Sequence, residues 1–188
     1  MMKRYAVLYS WAAIGLAALL VGAADLKNEN AVKVERLLKQ IEKHHGRGGH
    51  RNQKAVLTER QLNDYIGYRL AREKDTPISL LTVRLLEANH VQGKVVLDAR
   101  QLNLDLFFGE TLDFDFKGLL HSRNGTARLK LGTLLLHGRP VSPQAMDLVI
   151  GAIALYSGAQ PSRADDWYSL PKGLDRIIVK RGKADLFY

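Results

Sequence analysis

The side chains best suited to chemistry in this sequence are a histidine cluster and a pair of aspartates. His44, His45 and His50 lie close together, and imidazole is a common metal ligand. The rings of neighbouring residues diverge, however, and the flanking residues are basic and repel cations. Structural metal sites also need a more ordered frame than this run suggests. A solvated basic linker explains the cluster. His90, His121 and His137 fall at or near expected strand ends and turns, where polar residues belong. Asp113 and Asp115 share one face of an expected strand, and two carboxylates can serve as acid and base. Strand alternation explains them too, as the wet side of a sheet. Asp165-Asp166 precedes Trp167 and reads as a helix start or loop surface.

The sequence has no G-x-S-x-G elbow, no H-E-x-x-H and no phosphate-binding glycine loop. Gly46-Arg47-Gly48-Gly49 lacks the preceding strand that a nucleotide loop requires. With no cysteine, thiol catalysis and Cys-type zinc sites are excluded. The expectation is a protein that is not an enzyme and carries no cofactor or metal, with a hydrolase of unfamiliar type as the weaker rival. Asn124-Gly125-Thr126 matches a glycosylation acceptor, but a hairpin turn accounts for the same residues.

These residues must be positioned by a chain of 188 residues with 46% hydrophobic content and a net charge of +9. That length suits one domain after the N-terminal segment, and the charge favours anionic partners. Lys3 and Arg4 precede an uncharged stretch from Tyr5 to Ala24. It ends in small residues, so residues 1–24 read as a signal peptide or a transmembrane anchor. A lipidated N-terminus is excluded because no cysteine follows. Export makes nucleic acid the least expected partner. An anionic membrane surface fits better, drawn to the basic clusters Lys43 to Lys54 and Arg176 to Lys183.

Residues 25–54 read as a thin amphipathic helix or stalk, carrying Val34, Leu37, Leu38 and Ile41, followed by a flexible basic linker. The domain spans 55–188. In Leu57-Thr58-Glu59-Arg60-Gln61-Leu62-Asn63, Thr58 and Gln61 form a capping box, which predicts a helix from Glu59 to about Lys74. From Ile78 to Gly138 the apolar period becomes two. Leu81, Val83 and Leu85, then Val95, Leu97 and Ala99, predict a strand pair turning near His90 to Gly93. Leu112 to Leu120 and Ala127 to Leu135 predict a second pair, joined at Asn124-Gly125. Ser142-Pro143 predicts a second helix, apolar nearly all round through Tyr156 and ending by Gly158. A strand at Ile177 to Lys180, a turn at Arg181-Gly182 and a strand at Lys183 to Tyr188 close the chain.

The fold class expected is α+β, with a long twisted antiparallel sheet curled against one or two helices. Such a sheet beside an apolar helix either packs as plain core or leaves a groove for an acyl chain. The groove candidates are Leu62, Ile66, Phe114, Phe116, Leu129, Leu131, Met146, Val149, Ile150 and Ile153.

The membrane-targeting start, the L-T-x-x-Q-L-N helix start, the long strands, the apolar helix and the closing Leu170-Pro171-Lys172-Gly173-Leu174 resemble bacterial single-span and lipoprotein envelope proteins. These are related to the tubular lipid-binding (TULIP-like) fold. The resemblance covers roughly residues 55 to 188. It implies a curled sheet about a helix, with a hydrophobic groove for lipid or another amphiphile, and it carries over no catalytic residue. The small domain favours an open groove over an enclosed tunnel. The expected location is the periplasmic face of a bacterial inner membrane, or the periplasm or exterior if the first segment is cleaved. The rival reading is a tethered interaction or scaffold protein with an envelope protein partner and no small ligand.

Overall fold

The computed structural model of the chain describes residues 29–45, 53–73, 76–105, 109–142 and 165–188, together with Gln144, Asp147 and Arg163. The fold is α+β, with a strongly curled half-barrel sheet and two helices. Among the described residues no helix is long and apolar enough to cross a membrane. The expected segment at 5–24 lies outside the described residues, as does nearly all of the second expected helix.

Helix α1 (Glu29–His45) buries Ala31, Val34, Leu38 and Ile41. These recur at three- and four-residue intervals and make one apolar stripe. The stripe packs on helix α2 (Glu59–Leu70), and Asn30 Nδ2 donates to Asp64 Oδ2 at 2.6 Å. α1 therefore does not stand off as a stalk. Its charged residues fill the outer face and hide a stripe that is part of the core. The capping box at the start of α2 forms as expected. The helix ends at Leu70, earlier than expected, because bonding shifts to the three-residue pattern with Arg72 N–H donating to Arg69 O.

Strand β1 (Lys54–Thr58) lies beside β9 (Lys183–Phe187), which pairs with β8 (Arg176–Lys180), giving a three-stranded antiparallel sheet. The curled sheet runs β2 (Ile78–Leu85), β3 (His90–Asp98), β4 (Thr111–Arg123), β5 (Thr126–Leu136) and the short β6 (Arg139–Pro140). A two-residue β7 (Tyr168–Ser169) pairs with Thr126 and Ala127 of β5. Asn124 and Gly125 both take positive φ, at 48° and 71°, as a tight hairpin with right-handed strand twist requires.

The β2–β3 turn is displaced from the expected place. It falls before His90, with Ala88 and Asn89 at positive φ and Leu86 N–H donating to His90 O at 2.9 Å. Gly93 lies inside β3 opposite Val83. A Cβ there would sit 2.5 Å from the Phe116 ring and closer still to the Thr82 carbonyl oxygen. Glycine at this position thus serves close packing rather than a bend.

The Leu57–Asn63 segment ties α2 to the rest of the fold. Leu57 and Leu62 are core residues. Glu59 Oε2 accepts from Leu85 N–H at 2.6 Å, and Glu59 N–H donates to Gly182 O at 2.9 Å. Asn63 accepts from Val83 N–H and donates to Val83 O, both at 2.7 Å. Its amide thus acts like one more strand residue on β2, an edge strand of the curled sheet.

Candidate functional site

Strand alternation sorts the curled sheet into two faces. Leu112, Phe114, Phe116 and Leu120 of β4 share a face with Leu129, Leu131, Leu134 and Leu136 of β5 and with Val91, Val95 and Leu97 of β3. This face is apolar at successive positions. Phe114 and Leu129 are buried at 1% and 4% exposure. Phe116, Leu131, Val95 and Leu136 are only half-buried; by register Val95 and Leu136 flank Phe114, Phe116 follows it along β4, and Leu131 lies further along, opposite Gly118. Of the other groove candidates, Leu62 and Ile66 lie on α2 and are fully buried core with no surface free. Met146, Val149, Ile150 and Ile153 lie outside the described residues. The structure therefore brings four of the candidates, Phe114, Phe116, Leu129 and Leu131, onto one surface.

The opposite face is mixed, with Lys94, Asp113, Asp115, Lys117 and Lys130 interspersed with Leu80, Val96, Leu119 and Leu135. Lys94 Nζ lies 2.8 Å from Asp113 Oδ2. The hydrogen bond from Lys94 holds the Asp113 carboxyl below its ordinary pKa, which keeps it ionised and unsuited to act as an acid. Asp115 sits on the same face. His44 meets Tyr188 edge-on, with ring centroids 6.1 Å apart. No group of three or more His, Cys, Asp or Glu residues able to hold a metal occurs among the described residues.

A second concavity opens where the β4–β5 hairpin meets β8. Ser122 Oγ donates to Ile177 O at 2.7 Å and accepts from Ile177 N–H at 2.8 Å. Asn89 Oδ1 accepts from Val179 N–H at 2.7 Å. With the Asn89 N–H, which donates to Val179 O at 3.2 Å, these side chains fasten the edge strand β8 to the end of the curled sheet. The resulting cleft holds about 400 Å³ and is lined by His121, Arg123, Arg128, Trp167 and Arg176, among others. The Arg123 and Arg128 guanidinium carbons stand 4.8 and 5.0 Å from the centroid of the Trp167 ring. Arg176 stacks at 4.5 Å on Phe187. Ion-paired arginines occur elsewhere, at Arg60, Arg69, Arg100, Arg163 and Arg181. Among the described residues no carboxylate lines the cleft. Arg128 Nε is buried with no hydrogen-bond partner, and a buried donor left unmade costs ~1–3 kcal/mol.

Of this cluster, the sequence points to Arg176 as part of a basic run and to His121 as a polar residue near a strand end. Arg123, Arg128 and Trp167 are missed as functional candidates, although one signal was available. A two-residue Asn-Gly turn fixes register, which sets His121 opposite Arg128 and places Arg123 on the same face. No family model, curated protein or solved structure matches the chain.

Proposed function

We propose that the protein is a non-enzymatic cell-envelope protein that binds a lipid or similar amphiphile on the apolar face of its curled sheet. The observation that carries this reading is a run of half-buried side chains on one sheet face, with Val95 and Leu136 flanking buried Phe114, Phe116 next along β4 and Leu131 beyond it opposite Gly118. Contiguous apolar surface left partly open is a common feature of ligand sites. The signal or anchor reading of residues 5–24 supports delivery to a membrane, where such ligands are at hand. The resemblance to TULIP-like envelope proteins supports the same ligand class. On this reading the domain faces the periplasm from the inner membrane, or is released if the segment is cleaved.

The test is lipid extraction and native mass spectrometry of the full chain purified in a neutral detergent. The wild type is expected to carry lipid. Leu131→Gln, which places an amide on the apolar face, is expected to lose that lipid while still unfolding cooperatively. Using this variant separates lipid on the sheet from lipid held by the N-terminal segment. No lipid on the wild type, or equal lipid on both proteins, would instead favour the scaffold reading.

A further inference from the structure

We propose that the cleft between the β4–β5 hairpin and β8 is a binding site for a phosphate group, held by Arg123, Arg128 and Arg176 beside Trp167. The inference goes beyond the amphiphile reading, because its ligand is held by outward-facing arginines, although Leu120 and Ser122 of the inner face also line the cleft. His121 and Arg123 alternate along β4 with the inward Leu120 and Ser122, and Arg128 alternates along β5 with Ala127 and Leu129. The arginines therefore point away from the apolar face.

Arg123 and Arg128 share the Trp167 ring and Arg176 lines the same cleft, so positive charge gathers there, and among the described residues no carboxylate lines it to offset that charge. An anion would supply the missing countercharge. Stacking orients the groups for this role. A guanidinium laid on an aromatic ring keeps its planar edge, and thus its fork of N–H donors, free for an oxyanion. Stacking alone would account for Arg123 and Arg128 on Trp167. Stacking on Phe187 likewise holds Arg176 at the cleft, but it does not account for the buried Nε of Arg128, which has no acceptor among the described residues.

Phosphate fits better than carboxylate. A planar carboxylate is filled by one or two forks, whereas a tetrahedral phosphate has oxygens for donors converging from several directions. The cleft of about 400 Å³ exceeds what a bare phosphate needs and lies within the ~300–1,000 Å³ range of small-ligand sites. The phosphate could belong to a lipid headgroup or to a free phosphate compound.

The experiment uses the full chain in neutral detergent, in a Trp11→Phe background, so that Trp167 is the remaining indole. Trp167 fluorescence is followed on titration with inorganic phosphate, with pyrophosphate, and with phosphatidylcholine vesicles with or without phosphatidylglycerol. A saturable change is expected, weakening as salt rises. Arg128→Gln and Arg176→Gln should each weaken binding ~10–100-fold, as the loss of hydrogen bonds to a charged group implies. Arg139→Gln, an equal loss of charge on exposed β6, should leave it unchanged. A response to phosphatidylglycerol vesicles alone assigns a headgroup, and a response to the inorganic ions assigns free phosphate. No saturable change with any probe overturns the proposal. So does equal binding by wild type, Arg128→Gln and Arg176→Gln. Neither result bears on lipid recovered from the apolar face.

Discussion

Changing Asn63 to Asp preserves its size and one of its two roles, and so isolates the other. In the wild type, Asn63 Oδ1 accepts from Val83 N–H at 2.7 Å. Its Nδ2 donates to Val83 O at 2.7 Å and to Glu59 O at 3.0 Å. A carboxylate retains the acceptor but turns an oxygen toward both carbonyls. Losing two donated bonds at ~1 kcal/mol each, with oxygen–oxygen repulsion added, should destabilise the fold by ~2–4 kcal/mol at neutral pH. A protonated carboxyl can donate again to one carbonyl. Its folded pKa should therefore lie above the ordinary carboxyl value of ~4. A penalty on the charged form is present above that raised pKa and fades as pH falls through it. Asn63→Leu, with neither donor nor charge, should cost ~2–3 kcal/mol with no such pH dependence. Urea unfolding of wild type and both variants at matched pH values measures the differences directly. An Asn63→Asp protein as stable as wild type at pH ~7, or a gap that does not shrink in acid, would show that the amide does not hold the edge of β2. Because unpaired sheet edges recruit other chains, concentration-dependent association of these variants is a further expected readout.

Gly93→Ala should destabilise by at least ~1–3 kcal/mol, since the new methyl meets both the Phe116 ring and the Thr82 carbonyl oxygen. Adding Phe116→Ala should recover only part of that loss, and a double-mutant cycle by chemical denaturation measures the recovery. Full recovery would mean that the strand backbone yields freely. Acid stability is expected to depend on Asp185, which is buried beneath Lys180 at 2.8 Å and Lys54 at 3.0 Å. The Lys180 hydrogen bond, joined by one from Lys54, holds its carboxyl below the ordinary value. The stabilisation is therefore complete above the unfolded pKa and lost as pH falls through the lower folded one. Asp185→Asn should lose ~1–2 kcal/mol at neutral pH and flatten the acid limb below pH ~4. An unchanged acid limb would remove Asp185 from that account.

Local rules reached as far as their range. The capping box at Thr58 and the Asn124-Gly125 turn are set by neighbours a few residues apart, and both were readable from residue type. Glycine commonly marks a turn, yet Gly93 admits Phe116 from the adjacent strand, a contact that exists only once β3 and β4 pair. The α1 stripe was visible in Val34, Leu38 and Ile41, but nothing in a charged helix says whether its apolar side meets water or α2. Asn63 stands in the helix-start motif, while its role requires Val83, twenty residues on. The arginine cleft shows the same limit. Register on the hairpin follows from its turn, whereas Arg176 reaches the site through Ser122 and Ile177, which are 55 residues apart.

The geometry of that hairpin also decides how the two candidate surfaces relate. Leu120 and Leu129 face inward as a cross-strand pair, and the next pair along, His121 with Arg128, faces out. The apolar surface and the cleft adjoin here, since Leu120 and Ser122 of the inner face also line the cleft. At the sheet's end, the Ser122–Ile177 hydrogen bonds join β4 to β8 and close that stretch of the boundary. An amphiphile with its chain on the inner face would have to pass those hydrogen bonds to place its headgroup between the arginines. A headgroup from a bilayer outside the domain meets no such barrier, and the arginines would then orient the domain on that bilayer. Leu131→Gln should then spare phosphate binding, and Arg128→Gln should spare the bound lipid. Loss of both ligands in either cooperatively folded variant would mean that the two surfaces act as one site.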